Sequence, residues 1–133
     1  MSKTLPFVQF CDDIRQEMNG KYILIGCYGG VMTLSAFPFV TRLCAFITAE
    51  LSSHSADVRV VYKLRSGAKI GELSFSVEAP EDSGGNLERG QIPLPGIPIS
   101  LSSPDEISIS WSVGGGPLEE IGSLRVEQVV TAG

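Results

Sequence analysis

The sequence predicts an all-β chain folded as an antiparallel two-sheet sandwich, and three observations predict it. Apolar and polar residues alternate with period two in several stretches, the signature of a strand with one buried and one solvated face. Breaks bearing Gly or Pro, at Gly29-Gly30, Ser66-Gly67, Ala79 to Gln91 and Gly114 to Pro117, divide those stretches. Apolar residues recurring three and four positions apart over a full helical window are hard to find, so helix has little support.

In chain order, the first element is a hairpin closed at Asn19-Gly20, two residues that tolerate the positive φ of a two-residue type I′ turn. With Met18 opposite Lys21, the register places Ile14 opposite Ile25 and Cys11 opposite Tyr28 if no bulge intervenes. Tyr22 to Tyr28 and Leu43 to Leu51 are apolar on both faces, interrupted only by Thr48 and Glu50. They read as central strands, or as strands with one face covered by another subunit. A short turn is expected around Leu51 to Ala56. Val58, Val60, Tyr62 and Leu64 then alternate with Asp57, Arg59 and Lys63, and Leu73, Phe75 and Val77 with Glu72, Ser74, Ser76 and Glu78. Ala79 to Gln91 is a long loop whose composition favours mobility.

Ile97, Ile99 and Leu101 supply a further strand, and Pro98, which has no N–H to donate, puts it at a sheet edge or has it begin just after. Ile107, Ile109, Trp111 and Val113 oppose Glu106, Ser108, Ser110 and Ser112, which places Trp111 in the core. Leu124 and Val126 alternate with Arg125 and Glu127, and Val129-Val130 extends this strand almost to the end. The expectation is one domain over residues 1–133, an antiparallel two-sheet β-sandwich of about seven to nine strands, immunoglobulin-like or similar.

The chain has 133 residues, 43% hydrophobic and 19% charged, so it is long enough for one core and neither disordered nor highly charged. Its formal net charge of −5, without a run of Lys or Arg, argues against nucleic acid and against an anionic membrane surface as partners. No stretch reaches the roughly 18 apolar residues that span a bilayer, and Met1 to Pro6 lacks the apolar centre of a signal peptide. The expected location is the cytoplasm or the inside of a phage-like assembly, without membrane insertion.

Catalytic chemistry has little material. His54 is the single histidine, so one subunit cannot build a site of two imidazoles. The serines and Asp57 near it are not arranged as a triad, and His54 reads as a solvated loop residue. Neither a phosphate loop nor a dinucleotide fingerprint is present. The chain is expected not to be an enzyme, and to carry no cofactor and no metal. Cys11, Cys27 and Cys44 lie in apolar segments and, being three, cannot pair off completely within the chain. They read as free core thiols, with a disulfide between two of them left open.

What remains is the acidic group around Asp12, Asp13 and Arg15. As a binding site, Asp12 or Asp13 would hold a cation or a polar ligand, because carboxylates suit hard metals. As a structural feature, they would accept backbone N–H groups at a bulge or pair with Arg15 or Lys21. Consecutive strand residues face opposite sides and do not converge unless a bulge rotates one of them, which favours the structural reading.

The segment Phe10-Cys11-Asp12-Asp13-Ile14-Arg15-Gln16-Glu17, followed by Gly20-Lys21 and Leu24-Ile25-Gly26-Cys27-Tyr28, resembles the opening signature of an uncharacterised family of small bacterial and prophage-encoded proteins of unknown function. The chain departs from that signature at Cys27, where Val is more usual, and the likeness covers about its first fifth. It implies a bacterial or phage context and no catalysis. The expected function is a structural or protein-interaction module, through a protein partner or self-association; the alternative is a small-ligand or cation-binding domain using Asp12, Asp13 and Arg15.

Overall fold

A computed structural model describes residues 6–51, 55–78 and 88–129. They form nine strands and no helix: β1 (Phe7–Gln16), β2 (Tyr22–Cys27), β3 (Val31–Leu34), β4 (Phe39–Leu51), β5 (Ser55–Leu64), β6 (Lys69–Glu78), β7 (Glu88–Leu101), β8 (Asp105–Val113) and β9 (Glu119–Gln128). Four make one sheet, in the order β2-β1-β4-β7, and five make the other, in the order β3-β9-β8-β5-β6. The two sheets enclose a common core, so the chain is a β-sandwich as its alternation predicts.

The core is built from the positions that alternation assigns to it. Val58, Val60 and Tyr62 of β5 and Ile107, Ile109 and Trp111 of β8 are buried against Phe10, Leu43, Ile47 and Ile99 of the facing sheet. Each aliphatic side chain moved there contributes about 1.5–3 kcal/mol by leaving water. Trp111 keeps only 7% of its surface. Tyr62 is fully buried, and its hydroxyl has no hydrogen-bond partner among the described residues; burial pushes that phenol up from its ordinary value.

Pro93, Pro95 and Pro98 all fall on β7, an edge strand, and all are exposed. That is where a residue without an N–H does no harm to the ladder. β7 begins at Glu88, so Glu88 to Gln91 belong to a strand and not to the expected loop; residues 79–87 lie outside the described residues. His54 and the turn expected near it also lie outside them, while Leu51 and Ser55-Ala56 belong to β4 and β5.

Several expectations need correction. The sandwich is mostly antiparallel, but β3 runs parallel to β9, with Val31 to Leu34 beside Arg125 to Gln128. β3 has no counterpart among the strands expected from sequence, because four residues hold too little alternation to stand out and their partner lies 94 residues further along the chain, from Val31 to Arg125. β9 ends at Gln128, and Val129 beyond it is exposed, while Val130 lies outside the described residues. Tyr22 to Tyr28 is not central: β2 is the edge of its sheet. β4, the other doubly apolar strand, is central, between β1 and β7.

The first hairpin also differs by one residue. Its loop has three residues, Met18, Asn19 and Gly20, and Glu17 pairs with Lys21 through a 2.7 Å bond from the Glu17 N–H to the Lys21 carbonyl. Only Gly20 takes a positive φ, +88°, while the Asn19 side chain accepts the Lys21 N–H at 3.1 Å. A turn of this kind uses glycine as its last residue instead of needing two left-handed positions. The register therefore slips by one: Ile14 faces Leu24, and Cys11 faces Cys27.

Candidate functional site

The slip matters because of what β1 does next. Only Phe7 to Cys11 pair with β4; from Asp12 onward β1 and β2 leave the sheet as a two-stranded arm. The β1–β2 ladder skips the position of Asp12 and Gly26, and Gly26 has φ +68°. A Cβ there would run into the Asp12 carboxylate, so glycine is required both for its backbone angle and for the space. Asp12 itself accepts a 2.6 Å hydrogen bond from the Tyr28 hydroxyl. The Tyr28 phenol is pushed up to about 12 by burial and then by that bond.

Beyond the bend the arm folds back over the outer face of its own sheet. Tyr22 stacks edge-on against Phe46 with ring centroids 5.3 Å apart. Phe46 sits beside Gln9, whereas Tyr22 sits beside Gln16, seven residues further along β1. In a flat sheet that separation is more than about 20 Å, at about 3.3 Å per residue. Ile14, Gln16 and Tyr22 of the arm line a hollow of about 370 Å³ together with Cys44, Pro93 and Pro95. The arm thus covers Cys11, Cys44 and Phe46, which are buried yet stand apart from the core between the sheets.

Cys11 has a cysteine directly opposite on each neighbouring strand, Cys27 on β2 and Cys44 on β4. All three are free; Cys11 and Cys44 are buried as expected, but Cys27 is exposed because β2 is an edge. Burial pushes the Cys11 thiol up to about 12, with the neighbouring thiols and Asp12 and Asp13 adding to the effect. Burial likewise raises Cys44, and Asp13 adds to that, against a partial opposing effect from Arg42.

The acidic residues singled out from sequence all lie at the bend, and the structure gives them separate partners. Asp13 accepts the N–H of Ile14 at 2.9 Å and the Nε of Arg15 at 3.4 Å, and the Arg15 side chain is largely exposed. Asp12 is turned to Tyr28 instead. The two carboxylates therefore do not share a ligand position, and among the described residues no three His, Cys, Asp or Glu side chains converge as a metal site.

Sequence reasoning did not single out the outward side of the arm. Ile23 and Ile25 are 43% and 41% exposed, and Met18 stands free at the tip. The signal was present as the doubly apolar run Tyr22 to Tyr28, read there as interior. It also missed a polar clamp on the other sheet, where Arg65 donates to Glu106 at 2.8 Å and to Glu120 at 2.9 Å and Ser66 donates to Asp105 at 2.7 Å. Those groups are solvated, hold the β5–β6 turn to β8 and β9, and satisfy one another. Compared with known protein families and with curated proteins, the chain gives no match in either.

Proposed function

We propose that this chain is a non-catalytic structural or protein-interaction module of bacterial or phage origin, a component of a larger assembly, and that it associates through the outward side of its β1–β2 arm. One observation carries the reading: an edge strand without a single charged residue, Tyr22–Cys27, presents Ile23 and Ile25 to solvent. Edge strands are a pairing hazard, and chains that stay apart blunt them with proline, charge or shortness. Here β7 carries Pro93, Pro95 and Pro98, β6 carries Lys69, Glu72 and Glu78, and β3 is four residues long. β2 has only the kink at Gly26.

A strand from another chain can add to such an edge through backbone hydrogen bonds while its side chains cover Ile23 and Ile25. A second copy meets no charge repulsion along β2, although the chain as a whole is acidic. The bacterial or phage setting rests on the resemblance of residues 10–28.

Light scattering coupled to size exclusion, over a range of concentrations, tests the reading. The wild type is expected to exceed monomer mass as concentration rises. Ile23→Lys with Ile25→Lys is expected to remain monomeric with an unchanged circular dichroism spectrum. A wild type that stays monomeric throughout, or a double variant that assembles like it, counts against the proposal.

A further inference from the structure

We propose that Cys11 and Cys27 form a reversible cross-strand disulfide, a thiol modification site that fastens the edge strand β2 to β1 at the root of the arm. The two residues are direct partners in the β1–β2 register. The Tyr28 N–H donates to the Phe10 carbonyl at 2.9 Å immediately beside them. In an antiparallel ladder the pair next to such a bond is the closely spaced, non-hydrogen-bonded kind, with Cα atoms about 4.5 Å apart. That falls within the range of about 4.4–6.8 Å across which disulfides form. The inference does not rest on the function proposed above.

Exposure divides the work between the two thiols. Cys27 is open to solvent and meets an oxidant first, while Cys11 is fully buried directly across the strand. Cys44, the other neighbour of Cys11, is buried beneath the arm with its Sγ 3.3 Å from where a Cβ on Gly96 would stand, so it is closed to the oxidant that Cys27 meets. It is left as the odd thiol. Gly26, next to Cys27 and already in a left-handed conformation, gives the backbone the freedom to settle the bond.

The oxidant is a low-molecular-weight disulfide such as oxidised glutathione. The Cys27 thiolate attacks one of its sulfurs, forming a mixed disulfide and expelling one thiolate. Deprotonated Cys11 then attacks the Cys27 sulfur, forming the Cys11–Cys27 bond and expelling the second. Two protein thiols lose two electrons and two protons, and the disulfide takes them up as two thiols. The high thiol pKa of Cys11 makes the second step the slow one.

The native chain, incubated with oxidised glutathione at mildly alkaline pH, is expected to yield a product lighter by two hydrogens. After denaturation one thiol remains reactive to maleimide. Trypsin, cutting at Arg15, Lys21 and Arg42, separates all three cysteines, and the linked peptides are expected to be those of Cys11 and Cys27, parted by dithiothreitol. Cys44→Ser is expected to give the same link and Cys27→Ser to lose it. Glutathione retained on Cys27 with Cys11 free, a Cys11–Cys44 link, or two chains joined through Cys27 would each overturn the proposal. The wild-type peptide map decides even where the Cys44 variant does not fold.

Discussion

The outer faces of the two sheets solve the same problem in opposite ways. On the five-stranded sheet the face turned from the core carries Arg59, Lys63, Glu72 and a row of serines, and Glu72 pairs with both Arg59 and Lys69. Most of this face is solvated and written in the chain as alternation, which Val61 breaks: it stands opposite Glu72 and is buried. On the four-stranded sheet the corresponding positions of β1 and β4 include Cys11, Cys44 and Phe46, and they are buried. That sheet needs a cover on both sides, and the chain supplies the second one by bending its own first hairpin over it. The cover is only two strands wide, so its far side leaves Ile23 and Ile25 facing outward. An apolar face that is covered from within the chain passes its exposure on to the element that covers it.

The largest effect expected from this contrast is at Phe46. Although it stands outside the core between the sheets, Phe46→Ala is expected to cost about 3–5 kcal/mol, as a buried aromatic does. Lys63→Ala, at an outward position of the other sheet, is expected to stay within about 0.5 kcal/mol of wild type. Urea unfolding of both variants checks this; comparable values would mean that the arm does not seal its sheet.

A smaller effect is expected at the bend. Gly26→Ala both forces a side chain into left-handed backbone and drives its methyl group into the Asp12 carboxylate, and is expected to destabilise by about 1–3 kcal/mol. Adding Asp12→Ala is expected to return the steric part and leave the backbone part. A double-mutant cycle in thermal unfolding reads the difference; strict additivity would show that Asp12 does not oppose Gly26. Native-state hydrogen exchange sharpens the same point, since β2 amides are expected to open at lower free energy than those of β4, β5 and β8.

The smallest effect is on the solvated face. Hydrogen bonds from Arg59 and then Lys69 hold the Glu72 carboxyl down to about 2. A depressed carboxylate contributes stability above its unfolded value of about 4.3, and loses that contribution as pH falls through the range down to about 2. Glu72→Gln is therefore expected to lower the melting temperature slightly at neutral pH, with the gap closing below about pH 3. Because these groups are exposed, the shift is small and shrinks in high salt. A gap that persists at pH 2 would assign the effect to packing instead.

Much of the sandwich was legible because it follows from local rules. Alternation in Val58 to Leu64, Leu73 to Val77 and Ile107 to Val113 reports which side of a strand meets water, and a strand needs no distant partner to display it. Pro98 narrowed its strand to an edge or a start just after it for the same reason, since a missing N–H is a property of one residue, and the structure decides for the edge. Asp12, Asp13 and Arg15 stand close together in the chain, but their partners were not legible: Tyr28 reaches Asp12 where the ladder opens at Gly26. The Asn19-Gly20 pair fits a two-residue loop and equally the last two positions of a three-residue loop. Nothing local chooses between them, and that choice sets whether Cys11 meets Tyr28 or Cys27.

The sequence by itself determined the strand class, the inward face of most strands and the burial of Trp111, because each depends on the period of the pleat. Only the tertiary structure decided that Tyr22–Cys27 forms an edge, that β3 joins β9 in parallel, and that β1 bends so that the arm covers Cys11 and Cys44 while Cys27 stands exposed at its root. A doubly apolar strand states that both of its faces avoid water but not what covers them. That depends on contacts between residues far apart in the chain, whose pairing is settled by packing the whole molecule and leaves no periodic trace in the segments that meet.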